Sequence, residues 1–595
     1  MARSLSRNRT LLLIFLPILL LAPQGMAQPR RQFTHEQDIP VISYPSPDKS
    51  LLDSEDALAA AQGDPYRIGT GIPARLDLIQ AGRRHSRPDG GRTLSLILYA
   101  EGAEALALAF EVFRLPPGTF ITLSHPRSPA AVVYYDHHDN PILSLRFATA
   151  MVEGDSLLLR VECAPGAEEP ELILEEIAFL YRGTSSLTNK GSLASGSCEV
   201  NVNCSPEGDQ WQDEKRGVAR VQIKLGSQYY VCSGSLMINT AQDCTPYFLM
   251  AEHCGPGVSA ADLNQWVFYF NYEGLNCSST SAFTASHTVT GAVKRAVATN
   301  NIGSRSDMLL LELNQDVPNT YQPYFNGWDR SDTAVNQGVG IHHPAGDIKK
   351  ISHFTTPLSP FVNTHWQVYW SATANGHGVT EGGSSGSPLF DAQGRVVGTL
   401  TGGYSSCSNL SGSDWYGKMS YHWDQNGAIA SQQAKPWLDP LATGLYRMDG
   451  SYCRMVAAAF SASPTQVTVG DTVYLTDLST GSPTTWAWTM PGGQPGSSSL
   501  QHPFVVYNTP GTYSIQLTAS NSLSSDTASK TAYITVSLTP PVICDTLSYP
   551  LQGTPTLYSN AQGYPCGTNA WGDLAKAQRF DAPAQGKEIS GLVFR

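Results

Sequence analysis

The chain has no surplus of positive charge, no Cys-x-x-Cys pair and, beyond its first residues, no long apolar run. Each shortage excludes something. Lys and Arg total 38 against 50 Asp and Glu, for a net charge of −12. No basic stripe interrupts this balance, so nucleic acid is not an expected partner. Without Cys-x-x-Cys spacing, the eleven cysteines do not read as a zinc site. No stretch after the N-terminus reaches the roughly 18 apolar residues of a membrane span. No metal, cofactor or membrane segment is therefore expected.

What is present begins with an export signal. Arg3, Arg7 and Arg9 precede the apolar run Leu11 to Ala22, and Gly25-Met26-Ala27 supplies small residues for cleavage. Residues 1–27 read as a secretory signal peptide. A soluble exported protein follows, and in that compartment cysteines are expected to be bridged. At 595 residues the chain exceeds one core and is expected to hold several domains.

The most informative stretch is Glu381-Gly-Gly-Ser-Ser-Gly-Ser-Pro-Leu-Phe390. A hydroxyl between glycines, just ahead of a proline and an apolar run, is how a reactive serine is presented. Ser385 is the nucleophile candidate, and Gly383 lets its backbone N–H face a developing oxyanion. A serine nucleophile needs a base, and the base needs an orienting carboxylate. In Phe248-Leu-Met-Ala-Glu-His-Cys-Gly255 a hydrophobic strand runs into His253, beside a cysteine. In Ser304-Arg-Ser-Asp-Met-Leu-Leu-Leu-Glu-Leu313, Asp307 immediately precedes an apolar strand. The order His253, Asp307, Ser385 makes accident improbable.

With these motifs the chain resembles the trypsin-like serine endopeptidases, and within them the bacterial lysyl endopeptidases. The resemblance runs from about Gly191 to Asp449. Besides the three motifs it rests on Gly340-Ile-His-His-Pro344, Gly402-Gly403 with Ser405-Ser-Cys407, and Ser413-Asp-Trp-Tyr-Gly417. It implies an all-β fold of two antiparallel β-barrels with the site between them; the residues themselves indicate a β-rich domain. It implies Ser385 as nucleophile, His253 as general base and Asp307 as its orienter. The N–H groups of Gly383 and Ser385 would form the oxyanion hole. It further implies the disulfides Cys198–Cys407, Cys204–Cys277 and Cys232–Cys254. Cys544 and Cys566 are candidates for a further bridge, while Cys163, Cys244 and Cys453 are left without assigned partners.

Specificity is expected to rest on a buried charge. Trypsin carries an aspartate six residues before its nucleophile, but that position here is Val379. The lysyl endopeptidases carry theirs in a Ser-Asp-x-Tyr-Gly motif, which places Asp414 at the base of the primary pocket. An unpaired buried carboxylate there would favour a cationic side chain before the scissile bond. Two departures leave lysine-only against lysine-plus-arginine open. Thr401 stands where the family has a histidine, and the segment Ser359–Asn363 is short where the family has a pocket indole. Ser384 replaces the aspartate with which trypsin pairs its new N-terminus, so a charge-switch activation is not expected. Cleavage after Lys190, in an exposed Ser/Thr/Asn-rich stretch, would be self-processing by a lysine-preferring enzyme.

The expected organisation is a signal peptide (1–27), a β-rich pro-region (28–190) that acts as folding aid or plug, and the trypsin-like domain (191–453). Residues 455–537 resemble polycystic-kidney-disease-type (PKD) domains. That resemblance rests on Phe460-Ser-Ala-Ser-Pro464, Trp486-Ala-Trp488, Pro491-Gly-Gly493 and Pro510-Gly-Thr-Tyr-Ser-Ile-Gln-Leu-Thr518. It implies an immunoglobulin-like β-sandwich, serving as a spacer or as a binder of an extracellular protein or polysaccharide. Residues 538–595 are expected to hold a linker and the start of a further β domain. The sequence stops at Arg595 without an evident ending, so whether the chain is truncated stays open, as does surface attachment through a missing region. Asp136-His-His-Asp139 is expected to be a solvated turn, and His342-His343-Pro344 a structural strand end.

Protein and peptide substrates are the expected partners, and a secreted serine endopeptidase cutting after basic residues is the expected function. The alternative is an extracellular binding protein with an inactive protease-like domain.

Overall fold

Alternating apolar residues and glycine-rich turns predict strands, and strands dominate the computed structural model of the chain. The structure describes residues 39–62, 65–140, 145–182, 195–452, 456–481, 483–521 and 524–538. The expected signal peptide, Lys190, Cys453, Cys544 and Cys566 lie outside them.

Two antiparallel sheets carry the resemblance to a double barrel. In the first, Val218–Leu225 and Gln228–Met237 pair residue for residue, from Val218 opposite Ser235 to Leu225 opposite Gln228. Tyr247–Met250 adds to Gln228–Met237, and Met308–Leu313 then joins it to Ala292–Ala298. The second sheet runs through Lys350–Phe354, Gly338–His342, Pro388–Asp391, Arg395–Gly403, Ser413–Lys418 and His365–Tyr369. Side chains from both sheets share one apolar core that includes Leu249, Leu310, Trp266, Trp328, Phe390 and Trp423.

The N-terminal segment is β-rich, as its composition predicts. Leu94–Tyr99 lies within the strand Arg92–Ala100, whose even-numbered residues from Leu94 to Ala100 are buried. Ala131–Tyr135 lies within Ser128–Asp136. The sequence gives no hint of how this segment joins the rest. Its strand Tyr66–Asp77 pairs antiparallel with Gln228–Met237, so the N-terminal sheet and the first barrel sheet are continuous. The physical reason is an edge. Gln228–Val231 carries backbone donors and acceptors that need partners once apolar side chains cover them. Tyr229, Val231, Tyr269 and Tyr272 accordingly belong to the core cluster of the N-terminal segment.

Residues 456–537 form a sandwich of two sheets. Phe460–Ser463, Thr472–Asp477, Phe504–Tyr507 and Gly493–Gln494 make one, and Ser525–Ser537, Gly511–Ser520 and Thr485–Thr489 lie in the other. The alternation read in Tyr513 to Thr518 buries Ile515 and Leu517, which pack with Trp488, Val473 and Leu475. Among the described residues no helix is long and apolar enough to cross a membrane.

Candidate active site

Three segments deliver the three candidate side chains. The strand Tyr247–Met250 ends in a short 3-10 turn, Glu252–Cys254, that carries His253. Asp307 directly precedes Met308–Leu313 and takes a left-handed backbone conformation, φ +57°. For an L-residue that costs on the order of 1–2 kcal/mol. The next four residues, Met308 to Leu311, are buried, each contributing about 1.5–3 kcal/mol, so the strand holds the conformation against its cost.

Asp307 is fully buried and turns both oxygens on His253. Oδ2 accepts the ring Nδ1–H at 2.6 Å, and Oδ1 accepts the backbone N–H at 2.9 Å. Burial favours the protonated acid. The nearby imidazole charge, these two bonds and a hydrogen bond from Thr401 outweigh it, and hold the carboxyl below its ordinary range. For His253, burial disfavours the cation, but the Asp307 charge and hydrogen bond raise its pKa above the ordinary histidine value, with Glu252 adding to the rise.

Ser385 is tied to the same place through its backbone. Its carbonyl accepts the N–H of Ser233 at 2.8 Å, and Cys254 Sγ lies 3.7 Å from it. Cys254 is bridged to Cys232, so the residue after His253 is tied covalently to the residue before Ser233, which holds the Ser385 carbonyl. Gly386 (φ +80°) makes the approach possible. A Cβ there would lie 2.5 Å from Ser233 O and 2.7 Å from Ala251 N, within the segment that leads to His253.

Gly383 adopts φ +97°, and its carbonyl accepts Ser233 Oγ–H at 2.9 Å. The N–H groups of Ser384, Gly386 and Ser387 donate to Glu381, Leu400 and Ser384. Those of Gly383 and Ser385 have no acceptor among the described residues. They remain available to a developing negative charge.

The Ser384 hydroxyl bonds the buried His342 Nδ1 at 2.8 Å. His342 and His343 are buried, and desolvation holds the pKa of His342 down at about 3. Residues 195 and 196 are held by carboxylates. Ser195 Oγ–H donates to Asp347 at 2.8 Å, and Gly196 N–H to Glu381 at 3.0 Å. The cysteines pair as Cys198–Cys407, Cys204–Cys277 and Cys232–Cys254. Cys244 is also disulfide-bonded, and Cys163 is free and buried.

Asp414 has no exposed surface, and its carboxylate is surrounded by donors. Oδ2 accepts Trp370 Nε1–H (2.6 Å), Thr380 Oγ1–H (2.7 Å) and Ser405 Oγ–H (2.6 Å), and Oδ1 accepts Ser405 N–H (3.0 Å). Burial still raises its pKa above the ordinary value, since these donors do not fully replace water. Among the described residues no cationic side chain forms an ion pair with it, and Thr380 belongs to the segment leading to Ser385. Neither the donor set of Asp414 nor the Thr401 contact to Asp307 was legible beforehand. Thr401 is also bonded to His365 Nε2 at 3.0 Å, and burial holds that imidazole at about 4. Only the departure from the family histidine marked position 401.

Asp136, His137 and His138 gather ligand atoms within 4.8 Å of one another on the surface. Their hydrogen bonds are those of a turn: Asp136 accepts from His138 N–H (2.8 Å), and Asp139 accepts from Asp136 N–H (2.7 Å).

Comparison with known proteins finds similarity in two segments of the chain. Residues 193–417 match the model of the lysyl endopeptidase C-terminal domain, and residues 457–534 that of the PKD domain. A lysyl endopeptidase of Pseudomonas aeruginosa is 25% identical over 391 residues, which cover 62% of this chain and 81% of that protein. Protease Anisep from Arthrobacter nicotinovorans is similar at 19% identity, with a TM-score of 0.25, over 34% of this chain and 90% of that one. The PKD1 domain of Vibrio anguillarum Epp is similar at 22% identity and a TM-score of 0.12, over 14% of this chain and 96% of that domain. The class is that of the serine endopeptidases. Within it, the chain carries a lysyl endopeptidase-type domain followed by a PKD domain.

Proposed function

We propose that the chain is a secreted endopeptidase that cleaves peptide bonds after basic residues, lysine first, through an acyl-enzyme on Ser385. The observation that carries this is the double hydrogen bond of Asp307 to His253, together with a serine whose own N–H, like that of Gly383, has no acceptor among the described residues. In this reading Ser385 Oγ attacks the scissile carbonyl and its proton passes to His253 Nε2. The oxyanion is received by the N–H groups of Gly383 and Ser385. His253 then gives its proton to the leaving amine, and water hydrolyses the acyl-enzyme by the reverse sequence. Asp307 stays ionised throughout and holds the ring with Nε2 free to accept.

The buried, uncompensated charge of Asp414 supports a basic residue before the scissile bond, because an ammonium group would neutralise it where water cannot. Maturation after Lys190 follows from the same preference, and the name of the Pseudomonas relative points the same way. Domain limits at 27, 190, 453 and 537 accompany this reading, with residues 455–537 as a spacer or binding module.

The test is to digest a mixed proteome with the active protein and read the cleavage sites by mass spectrometry. Cuts after lysine alone support the full proposal. Cuts after both lysine and arginine keep the role of Asp414 but remove the lysine preference. Acidic or apolar sites remove the role of Asp414. Failure of a fluorophosphonate to label Ser385 overturns the mechanism.

A further inference from the structure

The strand Gln228–Met237 is a wall of the candidate site: Ser233 holds the carbonyls of Ser385 and Gly383, and Cys232 is bridged to the residue after His253. The remainder of its edge is occupied by the N-terminal segment. Tyr66 lies opposite Val231, Arg67 opposite Tyr230, Gly69 opposite Tyr229 and Thr70 opposite Gln228. Because the pairing is antiparallel, this strand begins beside Cys232 and runs outward, away from Ser385. A substrate's leaving-group half has the same polarity, since its first residue follows the scissile bond and the rest moves away from the nucleophile.

The first residue of the strand also reaches the oxyanion loop. A Cβ on Gly382 would lie 2.7 Å from Tyr66 Cδ2, so the tyrosine side chain packs directly on the glycine preceding Gly383. The Arg182 guanidinium stacks on that ring, 4.3 Å from its centre. Tyr66 thus lies between the serine loop and the strand that anchors it.

The contacts that hold the segment are non-covalent. Gly71 N–H donates to Ser227 O at 2.7 Å, Tyr229 Oη–H to Glu176 at 2.7 Å, and Gln265 Nε2–H to Phe110 O at 2.9 Å. An apolar core spans both sides of this junction. A backbone cut after Lys190 leaves every one of them in place.

We propose that Tyr66–Thr70 occupies the leaving-group side of the cleft as a built-in competitive inhibitor, an extended strand with an aromatic side chain. The cut segment stays bound, so latency ends when the segment is removed rather than when the chain is cut. This rests on Ser385 being the nucleophile, and the test separates the two.

The full chain carrying Lys190→Gln is assayed in two ways: fluorophosphonate labelling of Ser385, which needs no leaving-group subsites, and cleavage of a peptide with four residues after its lysine. The expected result is ready labelling with slow peptide cleavage. Adding Tyr66→Ala is expected to raise peptide cleavage about tenfold or more, a change of about one order in apparent affinity, with labelling unchanged. Arg182→Ala, which removes the guanidinium stacked on the ring, is expected to give a smaller rise and serves if the first variant does not fold. In the cut wild-type chain, the segment is expected to co-elute with the remainder on gel filtration. Unchanged peptide cleavage in the foldable variants, or elution of the cut segment apart from the rest, overturns the proposal. Absence of labelling in every form overturns the serine endopeptidase reading beneath it.

Discussion

Both carboxylate oxygens of Asp307 are taken by one residue, His253, through its ring and through its own backbone N–H. The pair fixes the position, tautomer and charge preference of the imidazole together. Asp307→Asn is expected to keep the fold and lower kcat by about 10⁴-fold, because an amide presents a donor to Nδ1 and reverses the tautomer. Steady-state kinetics and circular dichroism check the two halves.

The raised pKa of His253 sets the acid limb of activity. The imidazole accepts a proton only when neutral, so kcat/KM should fall as pH drops through a midpoint above the ordinary histidine value. Asp307→Asn should move that midpoint down, since it removes the charge that raises it. A pH–rate profile of both proteins decides this.

Thr401 donates to Asp307 and is in turn bonded to His365. Thr401→Val keeps the shape and removes the hydroxyl, leaving one buried oxygen less satisfied. A loss of about 1–2 kcal/mol, roughly tenfold in kcat/KM with KM little changed, is expected.

In the proposed function Asp414 acts through its charge, and burial raises its pKa. A carboxyl with a raised pKa is charged above that value and loses its charge as pH falls through it. KM for lysyl peptides should therefore rise on mild acidification, before an ordinary carboxyl titrates. Asp414→Asn should weaken lysyl substrates about a hundredfold or more at neutral pH. Initial rates against a series of lysyl and neutral peptides test both statements.

Gly386 brings the serine turn onto the strand end that leads to His253. Gly386→Ala forces a methyl against Ser233 O and Ala251 N, and places an L-residue at φ +80°. The expected cost is about 1–3 kcal/mol of stability, accompanied by a fall in activity, measurable by thermal unfolding and kinetics.

The order of the three candidate residues, the strand on which each motif ends and the sandwich at 456–537 were legible because they are local. Strand alternation has a period of two, and turns demand glycine or asparagine, so a few residues carry the signal. His253 at a strand end and Asp307 at a strand start are of this kind. The donors around Asp414 were not legible, since Trp370, Thr380 and Ser405 lie 44, 34 and 9 residues away along the chain.

The sequence by itself determined the serine endopeptidase class and the β-rich architecture, and it named the candidate residues. The tertiary structure decided what each one touches. It alone placed Tyr66 opposite Val231, 165 positions later, and made the N-terminal segment part of the first barrel's sheet. Sheet edges accept any strand with matching backbone polarity. Which strand arrives is settled by burial of distant apolar surfaces, and no local pattern in the sequence records that choice.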